Sequence, residues 1–111
     1  METTPQEIRE YVDSDGRNHF REWIRGLKDI QARALIRVRL NRIRLGNFGD
    51  SKSLGDGVCE LRIPYGPGYR VYFGRIGMLI VILLCGGEKG TQKKDIMKAK
   101  EFWEDFKRRS S

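Results

Sequence analysis

Two strand arginines, a lysine just past a third strand, and a set of tyrosines are the residues best suited to chemistry in this chain. The segment ELRIPYGPGYRVYF (60–73) has the alternation of a hairpin. Its first arm sends Glu60 and Arg62 to one side and Leu61 and Ile63 to the other. Its second arm sends Arg70 and Tyr72 one way and Tyr69, Val71 and Phe73 the other. Paired through the Pro64–Gly68 loop, the arms would put two arginines and a tyrosine on one exposed sheet face. Lys89 would reach it from the end of the next strand. Guanidinium and ammonium groups hold phosphate and stabilise charge developing on it. Tyr72, or Tyr65 in the loop, would orient a hydroxyl or stack on a base. Glu60 and Glu88 are the nearest carboxylates for proton transfer. The plainer alternative is a structural pairing of a strand arginine with Glu60.

A second basic set lies upstream. Ala32, Ile36, Leu40 and Ile43 form a helical stripe, flanked on one side by Arg33, Arg37 and Arg44 and on the other by Arg39 and Arg42. Any one of these arginines reads as solvated helix surface. Five within twelve positions suggest contact with a nucleic-acid backbone or an acidic partner. Tyr65, Tyr69, Lys93 and Lys94 would extend such a surface. With 22 Lys+Arg against 15 Asp+Glu, the chain carries a formal charge of +7, which favours an anionic partner.

Much chemistry is excluded. The single histidine, His19, reads as a surface residue near a helix start, and a two-histidine nuclease is ruled out. No CxxC or Cys/His cluster offers a metal site, and no cofactor motif is present. Gly86 and Gly87 follow a strand without the lysine and hydroxyl residue of a phosphate loop. Cys59 and Cys85 read as buried, reduced thiols. The polar start METTPQEIRE is unlike a signal peptide, and the apolar run Met78–Cys85 is too short to span a bilayer. A cytoplasmic protein without membrane attachment is expected.

The elements that must position these residues fit one domain over residues 1–111. Glu7–Val12 reads as a short edge strand. Asn18 caps a helix carrying Phe20, Trp23, Ile24 and Leu27, and Asp29 caps a second from about Ile30 to Leu45. Gly46 ends that helix, and Asn47–Gly57 reads as a polar loop. Strands follow at Val58–Ile63, Tyr69–Gly74 and Met78–Cys85, the last apolar on both faces and therefore central. A final helix from about Lys94 to Lys107 would bury Ile96, Ala99, Trp103 and Phe106 before a frayed basic tail (107–111). The expectation is an α+β fold, β-α-α-β-β-β-α. Two helices would cover one face of a mostly antiparallel sheet, with a C-terminal helix besides.

The blocks REWIRGLKD, RVRLNRIRLGNFGD, GDGVCELRIPYGPGYRVYF and LLCGGEKGTQKKDIMKAK occur in the order seen in the RelE/ParE superfamily of type II toxins. The chain resembles its HigB-like "addiction module killer protein" group most. The resemblance implies the RelE-like version of this fold. It implies a metal-independent endoribonuclease, an mRNA interferase that cuts message in the ribosomal decoding site and so inhibits translation and growth. It also implies a cognate antitoxin, usually a helix-turn-helix protein, that acts with the toxin on operator DNA. By position, Arg62, Arg70 and Lys89 match residues that bind the scissile phosphate. Where such toxins often carry a histidine, an aromatic and two lysines, this chain has Cys85, Gly87 and Lys89-Gly90. ParE-type members instead poison DNA gyrase, and a nuclease-inactive member would bind only antitoxin and operator.

Overall fold

A computed structural model of the chain describes residues 3–110. It is an α+β domain with β1 (Glu7–Glu10), α1 (His19–Gly26), α2 (Ile30–Arg44), β2 (Ser51–Gly55), β3 (Val58–Ile63), β4 (Tyr69–Ile76) and β5 (Ile80–Glu88). A 3₁₀ turn (Lys89–Thr91) then leads into α3 (Gln92–Ser110). The five strands form one sheet in the order β1-β5-β4-β3-β2. The first strand lies parallel to β5, and the other neighbours are antiparallel.

Local chemistry accounts for the helices. The Asn18 side chain accepts from the Arg21 N–H, and Asp29 accepts from the Gln31 and Ala32 N–H groups, so each helix starts on a capping side chain. Gly46 takes the positive φ (92°) that ends α2. The stripe Ala32, Ile36, Leu40 and Ile43 is fully inside. With Phe20 and Ile24 it packs on Leu61, Ile63, Tyr69, Val71, Phe73, Val81 and Leu83. The C-terminal helix covers the opposite face, where Ala99 and Trp103 meet Val58, Tyr72, Ile82, Leu84 and Cys85. Gly74 and Gly86 are places where the helices press closely on the strands. A methyl at Gly74 would run into the Trp103 ring, and one at Gly86 into the Trp23 ring.

Four expectations are corrected. The stretch Asn47–Gly57 contains an added strand, β2, joined to β3 by Asp56-Gly57 with φ of 57° and 84°. Both residues in the left-handed region is the signature of an Asp-Gly hairpin turn. The last strand runs on through Gly86 and Gly87, and its register slips between Tyr72 and Phe73, leaving Leu84 as an extra residue. The basic tail is helical through Ser110, while Ser111 lies outside the described residues. The first strand ends at Glu10 rather than Val12, and just past it Tyr11 is buried at 2% exposure while Val12 stands at 43%. The Tyr11 hydroxyl donates to Asp105 on α3, which draws it inward.

Candidate functional site

The β3–β4 ladder sets the site. Arg62 pairs with Arg70 and Glu60 with Tyr72, so all four share the α3 side of the sheet. Lys89 joins them because its N–H donates to the Gly68 carbonyl at 2.9 Å, tying the 3₁₀ turn to the hairpin loop. Arg62, Arg70 and Lys89 line one open cleft of about 370 Å³, with Asp50, Ile63, Pro64, Gly68 and Tyr69. Three separate stretches of sequence thus deliver three cations to one place.

That face is not the exposed one expected, because α3 and the 3₁₀ turn cover it. Tyr72 and Glu60 are both 0% exposed. Neither can meet a substrate from where it lies. Glu60 serves Arg70 instead, with Nε 3.4 Å from Oε2, the arginine side chain 12% exposed. Gln92 Nε2 donates to the same Oε2 at 2.9 Å. Tyr72 stands beside this carboxylate with its hydroxyl unpartnered. Burial, then the Glu60 charge, pushes the Tyr72 phenol far above its ordinary value, so it stays protonated.

Arg62 takes a different carboxylate. Its Nε and Nη2 donate to Asp50 Oδ1 at 3.2 and 2.9 Å, in a pair whose side chains are 45% and 46% exposed. Arg39 Nη1 donates to the Arg62 carbonyl at 2.7 Å and steadies the strand end from α2. Sequence reasoning missed Asp50, Gln92 and Arg39 as parts of this site. The Asp56-Gly57 pair was the available signal for Asp50, since a hairpin there brings residue 50 beside residue 62.

The tyrosines expected to stack on bases do not form a platform. Tyr69 is buried at 6% and meets Trp23 edge-on. Tyr65 packs against the helical core on the far face. The hydrogen bond that its hydroxyl donates to the Asp29 carboxylate raises its phenol. Lys93 and Lys94 are exposed and share a surface hollow with Lys89. The arginines of α2 lie elsewhere. Arg37 and Arg44, with Arg21 and Arg25, rim a groove of about 400 Å³ floored by Ile8, Phe20, Ile24, Leu40 and Leu83. Arg33 lies one turn before Arg37 on α2, half-buried.

His19 is less superficial than expected. Its Nε2 lies 2.7 Å from Asp13 Oδ2, and its ring stacks on Phe102 at 4.3 Å. Cys85 is buried and Cys59 half-buried, and both are free. Among the described residues no group of His, Cys, Asp or Glu is arranged to hold a metal ion.

No family model matches the chain. It is 53% identical over 81 residues to an uncharacterized protein of Haemophilus influenzae, a match covering 73% of this chain and 82% of the relative.

Proposed function

The chain belongs to the family of that Haemophilus influenzae protein, and from its own residues we propose that it is a type II toxin of RelE/ParE type, a ribosome-dependent endoribonuclease. One observation carries this reading, the convergence of Arg62, Arg70 and Lys89 on a single cleft. The order of the elements, with β2 added to the expected series, is compatible with a RelE-like fold.

The reaction is attack of an RNA 2′-hydroxyl on its own phosphate. The P–O5′ bond breaks, giving a 2′,3′-cyclic phosphate and a 5′-hydroxyl. Arg62 and Arg70 hold the charge building on the phosphate, a role worth about 3–4 kcal/mol per donor. Lys89 protonates the leaving oxygen. When the phosphate takes Arg62, Asp50 is the carboxylate left at the cleft mouth to accept the 2′-hydroxyl proton. So sparse an acid–base set suits a substrate held in place by ribosomal RNA.

The cognate antitoxin would be a helix-turn-helix protein, and the pair would act on operator DNA. An acidic, amphipathic antitoxin segment suits the arginine-rimmed groove between α1 and α2. Such a protein works in the cytoplasm. Among the described residues no helix is long and apolar enough to cross a membrane.

A second reading is a nuclease-inactive member that binds only antitoxin and operator. Burial of Glu60 and Tyr72 favours it. Primer extension on a reporter mRNA, with and without ribosomes, separates the readings. Cuts confined to translated message support the nuclease. Growth arrest without cuts sinks it and directs attention to gyrase, and expression without arrest leaves the binding protein.

A further inference from the structure

Several polar atoms near the cleft are buried without a hydrogen-bond partner: Glu60 Oε1, the Tyr72 hydroxyl, and Arg70 Nε and Nη1. They form one cluster, since Glu60 and Tyr72 are cross-strand partners and Arg70 is two residues along the same face. Nearly all buried polar groups in folded proteins are satisfied, and an unpaired one costs about 1–3 kcal/mol. The chain tolerates that cost beside the three cations.

The cluster has a direction. Glu60 occupies the Nε side of the Arg70 guanidinium, and Arg70 lines the cleft. With Nε against Glu60 and Nη1 buried, the planar fork has Nη2 left for the cleft. The carboxylate oxygen that does the holding, Oε2, is itself gripped by Gln92 Nε2. Gln92 is the first residue of α3 and follows directly on the 3₁₀ turn that begins at Lys89. One short turn therefore carries both the Lys89 ammonium and the clamp on the carboxylate behind Arg70.

Resting on the reading of the cleft as a phosphate site, we propose that Glu60 and Gln92 are positioning residues. They fix the direction of the Arg70 guanidinium and make the Lys89–Gln92 turn one unit, so that Arg70 and Lys89 meet the same phosphate. Glu60 is thereby not the proton acceptor. It is sealed from solvent, and its Oε2 is already engaged. The turn acts as a lever: docking of α3 and aiming of Arg70 are one event.

The test follows the Arg70 Nε–Hε signal by NMR in the ¹⁵N-labelled full chain, during titration with inorganic phosphate. In the parent protein the signal should stand apart from those of exposed arginines and shift as phosphate is added. Glu60→Gln keeps the shape but removes the charge. It should move the signal toward the exposed arginines and weaken phosphate binding about tenfold, because the guanidinium loses the buried ion pair that fixes its direction. Gln92→Leu should act in the same direction, and it alone decides the matter if Glu60→Gln does not fold. Arg62→Ala should weaken phosphate binding and leave the Arg70 signal in place. The proposal is overturned if Glu60→Gln and Gln92→Leu both leave signal and affinity at the parent values. A parent protein whose arginine signals ignore phosphate would sink the phosphate-site reading instead. The Arg70 response to Glu60→Gln would still decide the positioning role.

Discussion

Arg62 and Arg70 face each other directly across the β3–β4 ladder, yet one is paired at the surface and the other inside. Arg62 shares an exposed carboxylate, Asp50, while Arg70 leans on Glu60, a carboxylate with no exposure at all. Two arginines on the same rung therefore differ in what they do for the fold. The cleft they share is built from one exposed cation and one largely buried cation.

Arg62→Ala should leave the fold intact and remove activity. An exposed ion pair contributes within about 1 kcal/mol of stability. Loss of a transition-state donor costs about 10²-fold or more in rate. Urea unfolding beside cleavage of translated message checks both. Full activity in a folded Arg62→Ala protein would remove this residue from the site.

Arg70→Ala should behave differently. It strands the buried Glu60 charge, and breaking a buried pair from one side costs about 3–5 kcal/mol. A large drop in the urea midpoint is expected. The double variant Arg70→Ala, Glu60→Ala should recover part of that loss, because the uncompensated charge goes with its partner. No recovery in the double variant would contradict the pairing as drawn.

Gly86→Ala should destabilise the protein by about 1–3 kcal/mol, since the new methyl runs into the Trp23 ring. Trp23 fluorescence should shift with it as α1 is pushed from β5. A neutral result would mean that α1 sits farther from the strand.

Stability should fall on the alkaline side. Burial pushes the Cys85 thiol up to about 12 from its ordinary 9.0. Burial, with help from Asp105, lifts the Tyr11 phenol to about 12 from 10.0. Folded values above unfolded ones mean that this stabilisation is complete below about pH 9 and is lost as pH climbs toward 12. Urea midpoints measured from pH 8 to 11 should decline, and less steeply in Tyr11→Phe. A flat profile would refute the burial of these two groups.

The helices and the four-residue core stripe of α2 were legible because caps and periodicity are local. Pairing of Arg62 with Arg70 was legible too, since alternation and a short loop fix register. Exposure was not. Whether a sheet face is open depends on where a later helix lands, and α3, which covers Glu60 and Tyr72, begins at residue 92. Tyr65 and Tyr69 go to the other face, with Tyr69 in the core beneath α1 and α2 and Tyr65 packed against it. The loop reading of 47–57 overlooked the Asp-Gly turn, and with it Asp50. Function was legible only as a set of cations awaiting a common location.

The parallel pairing of β1 with β5 has a consequence for biosynthesis. Residues 7–10 leave the ribosome early, but their ladder partners are 80–83. The N-terminal strand must wait, unpaired, until nearly three quarters of the chain has been made, while β2, β3 and β4 meet their neighbours in order. Closing this long loop is the slow kind of contact. The edge of the sheet is thus completed last, so a nascent chain has its basic hairpin formed before its first strand finds a place.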